Sequence, residues 1–235
     1  MVTYSDRPWV KHYDEGVPET LKPYPEITLF DYLRQAAQKY PNHTALISDA
    51  KLPVVGHRTH RMTYRELDEL SDAMAAALIG LGLKKGDRVA IVMPNISSFV
   101  IAYYGALKAG GVAVATNPTY PALKMQHQID DCDAEIIITI TLFYQMIKEI
   151  QPQTKAKHVI VANVKDYLPR LAKILFSVAQ EKKTGHYLEA VEDNDFWMPE
   201  LLARYAGQKP DVTVSPDDLA LIQYTGGTTG ISKGA

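Results

Sequence analysis

"RVAIVMPNISSFVIAYYGALKAGGVAVAT" (88–116) decides the fold. "RVAIVM" is a continuous apolar run of strand length with no polar alternation, the pattern of a strand covered on both faces. The next stretch, about 96–109, carries apolar residues at helical spacing and ends at Gly110-Gly111. A second apolar run, "VAVAT", follows at once. Strand, helix, strand at this spacing predicts a right-handed βαβ unit on a parallel sheet.

The rhythm extends both ways. Upstream, "TYRE" (63–66) is a capping box opening a helix that buries Leu67, Leu70, Met74 and Leu78, closed by Gly82. Downstream come a helix in "PALKMQHQIDDCD", the strand "AEIIIT", a helix in "LFYQMIKEI" and the strand "HVIVAN". Residues 164–215 break the rhythm with two helices and a polar link, and "LALIQYT" (219–225) resumes it as a strand. The expected class is α/β, a parallel sheet with helices on both faces. Before it lie a proline-punctuated arm over the first 25 residues, a helix in "TLFDYLRQAAQKYPN" capped by Thr28 and stopped at Pro41, and extended chain in "TALIS" and "VVGHRTHRMT". The division expected is 1–60 as part of a second subdomain, and 61–235 as the α/β unit.

Composition narrows the function classes. A net charge of −2 offers no basic surface for nucleic acid. One cysteine, Cys132, excludes an internal disulfide framework and fits a reducing compartment. No apolar run approaches the roughly 20 residues of a membrane span, and the first residues lack a signal peptide's apolar core. A cytoplasmic globular protein is expected. His127 and Cys132 stand five apart on one helix, a spacing that does not share a face, so no metal site is expected there. "DDCD" reads as a solvated helix end, Asn117-Pro118 as a turn, and Lys108 as a cation suited to a helix C-terminus.

The last strand runs into "QYTGGTTGISKG" (223–234). Gly226, Gly227 and Gly230 let backbone approach a ligand closely, and successive amides in such a turn form an anion nest. Thr225, Thr228, Thr229 and Ser232 add hydroxyls and Lys233 adds a point charge. Polyphosphate is the guest this chemistry suits. A Walker A loop would place glycine before the lysine and Ser/Thr after it, whereas Ile231-Ser232 and Gly234 occupy those places. No dinucleotide G-x-G-x-x-G opens a βαβ unit either.

"YTGGTTGISKG" resembles instead the phosphate signature of the adenylate-forming superfamily, with Ser232 where proline is usual. "MTYREL" (62–67) and "LKAGGVAV" (107–114) are similar to two further motifs of that superfamily, in the same order. "NPTYPALKMQHQIDD" and the amino-terminal "RPWVKHYDEGVP" look like bacterial long- and medium-chain fatty acid–CoA ligases. The resemblance implies an acid–thiol ligase of lipid metabolism that joins fatty acid and ATP into an acyl-adenylate, releases pyrophosphate and passes the acyl group to coenzyme A. It implies that Thr225, Gly226, Gly227, Thr228, Thr229, Gly230 and Lys233 hold the β- and γ-phosphates, with Mg2+ accompanying ATP. It assigns no catalytic residue and no metal ligand within the 235 residues.

The missing hinge, adenine contacts and mobile carboxyl-terminal domain imply the amino-terminal portion of a longer enzyme, inactive alone. Nothing after the glycine-rich turn is expected to lock it. A homodimer through the arm follows by analogy only. Residues 166–183 carry Leu168, Leu171, Ile174, Leu175 and Val178 at helical spacing with basic neighbours. That pattern suits a surface helix packed on its own domain, which the few basic residues favour, and equally a peripheral membrane contact at the inner face. Other acid-activating adenylation enzymes, of peptide-synthetase or aryl-acid type, and a non-catalytic nucleotide-binding module are the competing readings.

Overall fold

The computed structural model describes residues 4–52, 56–225 and 232–235. Its centre is a seven-stranded sheet in the order β7-β6-β5-β3-β4-β8-β9. The strands are β3 (Arg88–Val92), β4 (Val112–Thr116), β5 (Ile136–Ile140), β6 (His158–Ala162), β7 (Phe196–Trp197), β8 (Leu221–Thr225) and β9 (Lys233–Gly234). All neighbouring pairs are parallel except β8 with β9. The short β7 lies inside the stretch expected to hold only helices and a polar link. Two residues are too few to show a strand's periodicity.

Alternate strand residues face two separate cores, as a pleated sheet requires. Val89, Ile91, Ile138 and Ile160 pack with α1 (Leu29–Lys39), α2 (Tyr64–Gly80), α3 (Ser97–Lys108) and α7 (Met198–Arg204). Ala90, Val92, Ile137 and Val161 pack with α4 (Ala122–Asp131) and α5 (Tyr144–Ile150). The expected α/β class, helices on both faces, is what is found.

Local chemistry sets the helix starts. Thr63 Oγ1 accepts from the Glu66 amide at 3.2 Å, and Glu66 Oε2 accepts from the Thr63 amide at 2.7 Å. Asp31 Oδ2 likewise accepts from the Thr28 amide at 2.8 Å. Asn117 Oδ1 accepts from the Thr119 amide, the turn expected at Asn117-Pro118.

α2 and α3 cross closely because Gly105 has no side chain; a Cβ there would collide with Met74. Beside that crossing Lys108 is 1% exposed. Its ammonium donates to Asp68 Oδ1 at 2.6 Å and to Asp72 Oδ1 at 2.7 Å. Lys108 therefore does more than complement a helix end: it ties α3 to α2 through a buried charge cluster.

β1 (Thr44–Leu52) and β2 (Gly56–Thr63) form their own antiparallel ribbon outside the main sheet, and β2 runs directly into α2. Ahead of Ile27, residues 4–26 are almost wholly exposed.

Candidate functional site

β8 is parallel to β4, so its last residue, Thr225, stands at the sheet's carboxyl edge, where open α/β sheets bind ligands. β9 returns antiparallel, pairing Thr225 with Lys233 and Tyr224 with Gly234. Backbone bonds between Gln223 and Ala235, at 2.9 and 3.1 Å, extend the pairing. The expectation that nothing locks the turn is corrected here: an antiparallel return closes it. Gly226, Gly227, Thr228, Thr229 and Gly230 lie outside the described residues, as does Ile231.

The pairing sorts the side chains by face. Residues directly opposite in an antiparallel pair project to the same side, with Cβ atoms about 5 Å apart. Thr225 and Lys233 therefore share one face, and both are exposed. Tyr224 projects to the other face, toward α4, where it is 6% exposed and its hydroxyl donates to Asp131 Oδ2. Burial pushes the Tyr224 phenol well above its ordinary range, and the carboxylate of Asp131 adds to that. Gly234 sits opposite Tyr224 because nothing larger fits: a Cβ would lie 2.7 Å from Ile222 Cγ2.

Ser232 follows the same alternation. It turns away from the Lys233 face and is 7% exposed, its Oγ accepting from Gln128 Nε2 at 3.1 Å. Both stems of the glycine-rich segment are thus pinned to α4, one by Asp131 and one by Gln128. No local pattern signals these pairs, which join residues 93 and 104 positions apart. "DDCD" is likewise more than a solvated end. Asp131 holds Tyr224, and the Cys132 carbonyl accepts from Arg88 Nε. Burial pushes the Cys132 thiol up to about 11, which leaves it a poor nucleophile at neutral pH.

Among the described residues, three buried polar side-chain atoms have no hydrogen-bond partner: Ser98 Oγ, Thr116 Oγ1 and Gln128 Oε1. Thr116 ends β4 beside β8, and Gln128 lies on α4, so two of the three flank the stems. No three His, Cys, Asp or Glu side chains gather to hold a metal among the described residues. No described helix is long and apolar enough to cross a membrane.

Comparison with known proteins adds the following. The family model described as AMP-binding enzyme matches residues 33–235. A long-chain-fatty-acid–CoA ligase of Escherichia coli O157:H7 is 34% identical over 233 residues, covering 97% of this chain and 39% of that protein. The Bacillus subtilis protein of the same name is 33% identical, covering 98% of this chain and 40% of its own length. Among solved structures, a long-chain-fatty-acid–CoA ligase from Archaeoglobus fulgidus superposes with a TM-score of 0.70 at 26% identity, over 94% of this chain and 38% of that one. An anthranilate CoA ligase solved with anthranoyl-AMP has the same fold, with a TM-score of 0.70 at 20% identity. The chain spans about two fifths of the length of the curated relatives it matches.

Proposed function

This chain belongs to the AMP-binding enzyme family, and from that premise we propose that it is the amino-terminal, phosphate-binding portion of an ATP-dependent fatty acid–CoA ligase. In the proposed reaction the fatty acid carboxylate attacks the α-phosphorus of ATP, and pyrophosphate leaves. The thiol of coenzyme A then takes the acyl group and AMP departs. The observation that carries this reading is the β8–β9 return, which sets Thr225 and Lys233 side by side on the exposed face of the sheet's carboxyl edge.

Charge accumulates on pyrophosphate as the α–β bond breaks. Donors already in place stabilise it without solvent reorganisation. In this proposal Lys233 supplies the cation, Thr225, Thr228 and Thr229 the hydroxyls, and Gly226, Gly227 and Gly230 the close backbone amides. Ser232, turned to α4, supports the stem and leaves the phosphates to the others. Mg2+ accompanies ATP in this reading, and no step is routed through it. The division into 1–60 and 61–235 belongs to the same proposal. So do a cytoplasmic location, a homodimer through the exposed arm, and a peripheral membrane contact through 166–183.

Calorimetry of the chain with ATP and with pyrophosphate tests the site. Lys233→Ala should weaken binding by about ten- to a hundredfold, the worth of one hydrogen bond to a charged group. Unchanged affinity would remove the phosphate assignment. The longer enzyme should catalyse fatty-acid-dependent ATP–pyrophosphate exchange, and the 235-residue chain alone should not. Exchange driven only by aryl or amino acids would move the enzyme to another branch, and ATP binding with no exchange would leave a nucleotide-binding module.

A further inference from the structure

α6 (Arg170–Ala179) is amphipathic, yet it is mounted the unexpected way round. A surface helix ordinarily turns its apolar stripe to the core. Here Ala172 is the one α6 residue that is fully buried, with Phe176 and Ser177 partly covered. Leu171, Ile174, Leu175 and Val178 are exposed, Ile174 to 61% and Val178 to 84%. At about 100° per residue these four span an arc of about 100° that points away from the domain. The sequence-based preference for a helix packed on its own domain is therefore corrected: the helix does pack, but by its narrow Ala172 side.

Lys165 Nζ ties α6 to the domain by donating to Ser177 Oγ at 3.1 Å, and further polar bonds fix the turn that follows the helix. Asn163 Nδ2 donates to Glu181 Oε1 at 2.9 Å, and Lys165 Nζ donates to the same carboxylate at 2.6 Å. The His186 ring stacks edge-on against Phe176 at 5.7 Å. These bonds also decide the charge of the outer surface. Both acids of the segment 164–185 are turned inward: Glu181 is buried, and Asp166 Oδ2 accepts from the Asn163 amide. Arg170, Lys173, Lys182 and Lys183 remain exposed. Lys182 lies over the half-exposed Tyr187 ring at 4.4 Å, which keeps an aromatic body beside a cation.

We propose that α6 docks the protein onto an anionic lipid surface, inserting Leu171, Ile174, Leu175 and Val178 while Arg170, Lys182 and Lys183 meet the headgroups. An outward apolar stripe bordered by cations, with the local acids withdrawn, has the complementarity that an anionic interface selects. A protein partner would satisfy the stripe alone; it gives no reason for every exposed charge of the segment to be positive. The residues leading into α6, Val164, Tyr167 and Leu168, also line a largely apolar cavity of about 470 Å3 at the sheet's carboxyl edge. Seated on a bilayer, α6 would hold that cavity next to the interface. The proposal deepens the peripheral contact named above and is read without turnover, so it stands or falls apart from the ligase assignment.

The test is sedimentation of the 235-residue chain with phosphatidylglycerol–phosphatidylcholine vesicles and with pure phosphatidylcholine vesicles. Binding to the first is expected, weakening as salt rises. Ile174→Glu with Leu175→Glu should lower it at least about tenfold. Lys182→Glu with Lys183→Glu should lower binding to the anionic vesicles and leave the neutral ones unaffected. All four positions are exposed, so an unchanged far-ultraviolet spectrum and thermal midpoint show that the variants fold. Equal binding by the wild type and the Ile174→Glu, Leu175→Glu protein would overturn the proposal. So would a wild type that ignores vesicles but self-associates through this face. A longer enzyme that fails to bind vesicles the chain does bind would also overturn it, showing the stripe to be covered from within.

Discussion

Ser232 stands where the superfamily signature usually has proline, and its contact gives the substitution a use. Proline would hold the stem through its fixed backbone angle. Serine holds it through Gln128, whose amide is buried and has no other partner among the described residues. Ser232→Ala should cost about 1–3 kcal/mol, the penalty of leaving a buried donor unsatisfied. In a Gln128→Leu background the same change should cost almost nothing. Urea midpoints of the four proteins give the coupling directly; additive costs would mean that the bond does not tie stem to helix. From the sequence, glycines, hydroxyls and one lysine suggest a phosphate site in this segment, which stands here as a proposal. Gln128, Asp131 and Tyr224 were not readable, because each is an ordinary residue on its own element and acts only through a distant partner.

At the level of elements, α2 and α3 show how much a local pattern conveys. Both helices, their starts and their ends were legible in capping residues, glycines and apolar spacing. The charge cluster between them was not, although a signal existed: Asp68 and Asp72 stand four apart and so share one face of α2. Removing Lys108 alone would take the ammonium from two carboxylates and leave Asp72, 6% exposed, only the more distant guanidinium of Arg34 at 3.9 Å. Lys108→Met should therefore cost about 3–5 kcal/mol, measured as a lowered denaturation midpoint. Replacing Asp68, Asp72 and Lys108 together by apolar residues of similar size should recover most of that loss. α6 teaches the complementary lesson. Spacing announced an apolar stripe, but not that α6 packs by its Ala172 side, with Ser177 Oγ accepting from Lys165 Nζ and the stripe left facing outward.

For the molecule as a whole, two cores on either side of one sheet carry the cohesion, and the arm contributes to neither. Limited proteolysis should accordingly trim residues 4–26 early and leave the remainder resistant, with little change in thermal midpoint. Early cleavage within α2 or α3 would contradict that division of labour. The sheet was legible because strands buried on both faces are apolar without interruption. The strand order was not, since β8 joins β4 across more than a hundred residues with no periodicity to announce the pairing. The buried ammonium of Lys108 carries one last consequence. Stripping water from charged groups becomes less costly on warming, because their hydration carries a strongly unfavourable entropy. The seam between α2 and α3 therefore loses less of its cohesion on warming than a purely apolar contact would, and α3 leads into β4, the strand beside the β8–β9 hairpin.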